Sequence, residues 1–241
     1  MTEGYDLDML CFGAHPDDIE ILAGGLILRH VVAGYRVGLI DMTRGEMGTR
    51  GGKEIRKSEL NRAAEVLGVV ARDNLALPDS QMENSFESKL AAASAIRKYR
   101  PRVVIHQGTN YRHPDHRVTG EIIRDACFLA GLKNLSAEGE PFRPFKVAEC
   151  YNYRSSDQPS FLMDISDVFE QKLDAIAAYE SQFPRGEQKL APHLGFGNVY
   201  EWVTARNRYF GMMIRTQYAE PYTIFESIEV DDLVKMPVAS M

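Results

Sequence analysis

Cysteine is scarce in this 241-residue chain, and the three present, Cys11, Cys127 and Cys150, are odd in number and far apart. They build neither a disulfide framework nor a CxxC metal site and read as reduced core residues of a cytoplasmic protein. Basic residues are in the minority, 28 Lys and Arg against 34 Asp and Glu, for a formal net charge of -6. That balance argues against nucleic acid as the main partner, because phosphate binding wants clustered Lys and Arg. No segment approaches the ~18 apolar residues of a membrane span. The opening MTEGYDLDML also lacks the basic start and apolar centre of a signal peptide, so no membrane partner is expected. Low-complexity runs and internal repeats are missing too. What remains is a chain with 44% hydrophobic residues, enough for a sizeable core and read as one globular domain over residues 1–241.

Apolar runs and amphipathic stretches alternate. Leu7 to Ala14 reads as a buried strand, and Ile19 to Ala33 as a helix closed by Gly34. Val37 to Met42 is a second strand, followed by a glycine-rich loop from Gly45 to Gly52 and a helix from Lys53 to Leu67. Then come a brief strand at Asn74 to Leu77, a helix at Phe86 to Tyr99 and a strand at Arg102 to His106. A helix at Val118 to Ala130 and a strand at Val147 to Tyr153 complete the series. This order predicts an α/β, Rossmann-like architecture: a mostly parallel sheet with helices on both faces. Beyond it the reading is a strand at Phe161 to Ile165, a helix at Val168 to Ser181, a long loop to Asn198 and a helix at Val199 to Arg215. In open parallel sheets, sites gather at the carboxyl ends of strands, so the residues just after each strand carry the search.

The first strand has no GxGxxG after it, which sets dinucleotide binding aside, and the glycine loop lacks the GK[ST] ending of a phosphate loop. Instead, the first strand runs into His15-Pro16-Asp17-Asp18, and the fourth into Arg112-His113-Pro114-Asp115-His116. His15 and Asp18, three apart across a strand-to-helix turn, can face one centre, with His116 as a third ligand from the opposite loop. Two imidazoles, one carboxylate and an open position make a catalytic zinc site. Zinc would bring the pKa of its water from about 15.7 to roughly 7. Asp17 is left free as general base. His113 is left as donor to an oxyanion or leaving amine, with Asp115 as its orienting carboxylate. Arg56, in the first turn of the second helix, and Arg112 are candidates for substrate contact.

Each residue has an ordinary explanation. A single Asp at a helix start is commonly a cap, and Arg56 would pair equally well with Glu54 or Glu59. His30, late in the first helix, suits the negative helix end, and His106 reads as structural or as support behind the ligands. Core packing explains most of Tyr151, Tyr153, Tyr200 and Trp202 better than sugar stacking does. The conjunction of two His/Asp clusters at the same sheet edge is what favours a metal.

GAHPDDIE followed by YRHPDHR resembles the PIG-L-like zinc de-N-acetylases. GEMGTRG before EIR, the LPD at Leu77 to Asp79, IRKYRPRVV, QPSFLMDISD, AYESQF and ARNRYFG look like one branch of them, the bacillithiol-pathway deacetylases that act on N-acetylglucosaminyl malate. The resemblance runs to about Phe225. It implies zinc, with iron(II) as the other candidate, on His15, Asp18 and His116; Asp17 as base; His113 with Asp115 at the tetrahedral intermediate; and Arg56 on the substrate. It also implies a small amino-sugar substrate, a homo-oligomer such as a hexamer, and a C-terminal part, about 154–241, that completes the substrate pocket. Ser155, Ser156 and the stretch Arg185 to Asn198 depart from the branch pattern. Another N-acetyl sugar, a chitooligosaccharide or a mycothiol-type precursor, is therefore the alternative substrate. A non-haem iron oxygenase also uses two His and a carboxylate, but it usually reads HxD on a β-sandwich. A zinc-held sugar-binding protein would have no use for Asp17 or for the His113–Asp115 pair.

Overall fold

The computed structural model describes residues 6–109, 111–152, 158–186, 198–236 and 238. Five strands form the parallel part of a seven-stranded sheet: β1 (Leu7–Gly13), β2 (Val37–Thr43), β3 (Ala71–Leu77), β4 (Pro101–Gln107) and β5 (Lys146–Cys150). Two more, β6 (Phe161–Asp164) and β7 (Ala219–Thr223), join antiparallel at one edge, giving the order β3-β2-β1-β4-β5-β7-β6. The helices are α1 (Asp18–Val32), α2 (Lys53–Leu67), α3 (Phe86–Tyr99), α4 (Pro114–Leu129), α5 (Phe169–Ala177) and α6 (Val199–Met213).

The sheet is buried on both faces, which is why its inner strands read as unbroken apolar runs. Along β1, Met9 and Cys11 enter one core with Leu22 and Ile27 of α1, Phe169 of α5 and Val203 of α6. Leu10 and Phe12 enter the other with Ala92 of α3 and Ile122 of α4. The expected α/β layering with helices on both faces is thus the observed one.

Several expectations differ in extent; β3, for one, begins at Ala71, three residues before Asn74. Helix α4 begins at Pro114, four residues before the expected start, with His113 as N-cap and proline in the first turn. That position tolerates proline because its N–H has no partner inside the helix. Helix α5 stops at Ala177, short of Ser181. The fifth strand ends at Cys150, and Tyr153 lies outside the described residues.

Strand β7 was not expected at all. Its sequence, AEPYT, holds a glutamate and a proline, both poor signals for an interior strand. Glu220 is nevertheless fully buried, because its carboxylate accepts from Gly25 N–H (2.9 Å), Leu26 N–H (2.7 Å), Lys172 Nζ (2.6 Å) and Tyr222 Oη (2.7 Å). Beside it, Gly25 makes room for Ile165, just past the end of β6: that side chain would lie 2.6 Å from a Cβ there.

The strand order reverses between β1 and β4, so the chain leaving β1 turns to α1 on one face of the sheet and the chain leaving β4 turns to α4 on the other. That switch point is where a parallel sheet opens a crevice.

Candidate metal and amide-hydrolysis site

The turn after β1 is clamped before it reaches the site. Ala14 donates its N–H to Gln107 Oε1 (2.8 Å) and accepts from Thr43 N–H (2.9 Å) and Thr43 Oγ1 (3.0 Å). The chain then enters Asp17 with φ 112°, a left-handed conformation that is uncommon for a side chain other than glycine. Asp17 occupies the N-cap of α1 but makes no capping hydrogen bond. The ordinary explanation of this aspartate is therefore absent, and its side chain lines a cavity of about 270 Å³.

Asp18 does not cap either. One oxygen accepts from His15 N–H (2.8 Å) and lies 3.2 Å from His15 Nδ1; the other lies 3.2 Å from His116 Nε2. Donor atoms of His15, Asp18 and His116 fall within 4.8 Å of one another, and so do those of His15, His113 and Asp115. The two sets share His15. Its Nε2 faces the carboxylates of Asp79 (3.1 Å) and Asp115 (3.2 Å), which leaves Nδ1 toward Asp18 (3.2 Å). A ring held by carboxylates on one nitrogen presents the other in a set direction, the usual support of a metal-ligating histidine.

Asp115 was expected to orient His113. Its carboxylate instead meets His15 Nε2 and accepts from Ser80 N–H (2.7 Å), while its backbone N–H donates to His113 Nδ1 (3.3 Å). A ring accepting at Nδ1 carries its proton on Nε2 and is a donor there. His113 lines the same cavity as Asp17, Asp18 and His116.

Electrostatics follow from this crowding. Burial penalises the charged form of His15, but the carboxylate of Asp18, joined by Asp17 and Asp79, outweighs it and pushes the imidazole up to about 10. Burial opposes ionisation of Asp18, yet His116 and His15 hold its carboxyl well below the usual range. Asp17 is driven upward by burial and by the charge of Asp18, against the pull of Arg56 and His15. Burial lowers His116, with the neighbouring imidazoles adding to it. Carboxylates gathered around two imidazoles form a donor set suited to a divalent cation.

Arg56 is buried, with its Nη1 donating to the Gly45 carbonyl and Nη2 3.9 Å from Asp17 Oδ2. A Cβ at Gly45 (φ +65°) or Gly48 would fall 2.6 Å from the guanidinium, so the glycines of this loop make room for Arg56. Arg112 is exposed and lines the cavity. Tyr151 and Trp202 also line it, whereas Tyr200 donates to the Phe183 carbonyl (2.7 Å). His106 is fully buried with Nδ1 2.6 Å from the Gln107 carbonyl, and His30 Nδ1 lies 2.8 Å from the Leu26 carbonyl. His193, Ser155 and Ser156 lie outside the described residues.

Two contributors had gone without a role. Asp79, of the LPD segment, touches His15 and accepts from Met47 N–H (2.8 Å), tying the glycine loop to the site. Its place just after β3, at the same sheet edge, is the signal that marks it. Gln107 ends β4 as an apparently ordinary strand residue, and nothing in the sequence points to Ala14 as its partner.

Comparison with known proteins gives the family. The family model for PIG-L, GlcNAc-PI de-N-acetylase, matches residues 10–127, which span both His/Asp clusters. Diacetylchitobiose deacetylase of Thermococcus kodakarensis is 34% identical over 221 residues, 83% of this chain and 80% of that one. A probable N-acetyl-alpha-D-glucosaminyl L-malate deacetylase 2 of Bacillus anthracis is 28% identical, over 78% of this chain and 88% of that one. Among solved structures, a conserved protein of Thermus thermophilus superposes with a TM-score of 0.84 at 38% identity, over 93% of this chain and 98% of that one. The chain belongs to the PIG-L family of de-N-acetylases. No helix among the described residues is long and apolar enough to cross a membrane.

Proposed function

We propose that this protein is a metal-dependent amidase that removes the acetyl group from an N-acetylglucosaminyl substrate, with N-acetylglucosaminyl malate as the substrate proper. The observation that carries the reading is Asp17: a carboxylate held in a left-handed turn, not used as a cap, on a cavity it shares with Asp18, His113 and His116.

In this reading His15, Asp18 and His116 hold the ion, zinc by preference and iron(II) as the alternative. The bound ion supplies Lewis acidity for the amide carbonyl, acidifies water and favours the ionised form of Asp17. Asp17 takes the proton of the attacking water as its oxygen adds to the acetyl carbon. His113, a donor at Nε2, stabilises the oxygen that gains charge. The C–N bond then breaks, the amine leaves with the proton returned from Asp17, and acetate remains. Asp115 and Asp79 keep His15 in register. In this proposal Arg112 belongs to substrate binding, Arg56 supports the charge of Asp17 from behind the cavity, and Phe183, Val199, Trp202 and Arg206 are how the C-terminal part completes the pocket of a single domain.

The cavity lies just below the roughly 300–1,000 Å³ typical of small-molecule sites. It suits one amino sugar with a short substituent better than a long polymer. The second reading, a deacetylase of short chitin oligomers, is favoured by the 34% identity to the Thermococcus enzyme. An oxygenase or a non-catalytic zinc protein leaves Asp17 without a purpose. A cytoplasmic homo-oligomer is part of the proposal, checked by light scattering. The deciding experiment incubates the zinc-loaded protein with N-acetylglucosaminyl malate, N-acetylglucosamine and acetylated chitin oligomers and follows acetate loss by mass. Release from the malate glycoside first supports the reading. Release from the oligomers first moves the substrate to the second one, and release from none sinks both.

A further inference from the structure

The core cations away from the site are neutralised or fully bonded. Arg72 pairs with Glu20 (2.6 Å) and Asp41 (2.9 Å), Lys172 with Glu220 (2.6 Å), and Arg97 donates to backbone carbonyls that include those of Ala130 (3.0 Å) and Ala137 (2.7 Å). Arg206 differs. It is 8% exposed, it lines the cavity, and its Nη2 donates to the Tyr151 carbonyl (3.1 Å). Its Nη1 is buried with no hydrogen-bond partner among the described residues. The guanidinium carbon lies 5.8 Å from the centre of the Trp202 ring and 5.7 Å from that of Phe210, so aromatic walls hold the group in place.

Leaving a buried donor unmet costs about 1–3 kcal/mol, and more when the group is charged. A guanidinium kept in that condition beside a cavity is suited to a counter-charge that arrives with the ligand. Its forked donors match a carboxylate in two bonds. The acetamide end of the same cavity is edged by Asp17 and Asp18 and repels an anion. A second cation, Arg112, also stands on the cavity.

We infer that Arg206 binds a carboxylate carried by the aglycone of the amino-sugar substrate, and so selects acidic glycosides over neutral ones. This rests on the amidase reading for which part of the substrate lies at Asp17, but not for the binding itself.

The test is therefore a binding measurement. Titration calorimetry compares glucosaminyl malate, the deacetylated acid, with neutral methyl glucosaminide on the zinc-loaded wild type, Arg206→Gln and Arg206→Lys. Circular dichroism checks that each variant is folded. The wild type is expected to bind the acid at least about 10-fold more tightly, the worth of one charge-assisted contact. Arg206→Gln is expected to erase that preference while leaving the neutral ligand within about twofold. Arg206→Lys, which keeps the charge without the fork, is expected to retain part of it. No acid preference in the wild type overturns the inference, as does equal weakening of both ligands in Arg206→Gln. If that variant does not fold, Arg206→Lys decides: a preference reduced several-fold supports the inference, and an undiminished one overturns it. Acetate release is followed separately. Its failure on every substrate sinks the amidase reading, while the ratio of the two affinities still judges Arg206.

Discussion

Arg56 holds its guanidinium 3.9 Å from the Asp17 carboxylate while donating to the Gly45 carbonyl, so one buried cation touches both the proposed base and the glycine loop. The position implies more than a surface contact. The charge favours the ionised form of Asp17, which burial and Asp18 disfavour. Arg56→Ala is expected to lower kcat by about 10-fold, the equivalent of roughly 1.4 kcal/mol in the barrier. A raised KM at unchanged kcat would instead make Arg56 a pure substrate contact, since uniform binding shows itself in KM. Steady-state rates on the best substrate separate the two.

Asp17 and Asp18 are neighbours with different partners. The isosteric Asp17→Asn is expected to keep metal content and to lower kcat by roughly 10²–10⁴-fold, the range for lost general-base help. Metal analysis after dialysis and turnover on the same sample check it. Wild-type turnover, or an emptied metal site, would refute the division of labour.

His116→Ala and Asp18→Asn are expected to release most of the ion on dialysis, because each removes one of three protein donors. Asp18→Asn should regain part of its activity in added zinc. Full stoichiometry retained by both His116→Ala and His15→Ala would place the ion elsewhere.

The three thiols are buried and free. Burial pushes Cys127 up to about 12; Cys150 reaches about 12 by burial with Glu220 adding, and Cys11 is raised in the same direction. A group whose folded pKa is raised keeps its proton in the fold. Its contribution to stability is complete below the unfolded value, 9.0, and is lost as pH rises toward about 12. The native protein is expected to leave all three unreacted with a thiol reagent at pH 8, and to react at all three once denatured. Rapid labelling of the native protein would contradict this burial, and a denaturation midpoint that does not fall between pH 9 and pH 11 would contradict the linkage.

The alternation of apolar runs and amphipathic stretches was sufficient for the parallel sheet and its two helical layers. Burial on both faces leaves such strands continuously apolar, whatever their neighbours. The two His/Asp clusters were legible for a related reason: residues after the strands of a parallel sheet share one edge, so position in the sequence already implies proximity. Strand β7 was not legible, because Glu220 and Pro221 oppose a core strand until Gly25, Leu26, Lys172 and Tyr222 supply the carboxylate's partners from other elements. Nor was the placement of Asp115 against His15, or of Arg56 beside Asp17, since both depend on side-chain direction across separate loops. Pattern along a chain records which residues must leave water. Which polar atoms then meet depends on how the layers pack, and only the tertiary structure decided that the buried Arg206 would border the cavity with a donor to spare.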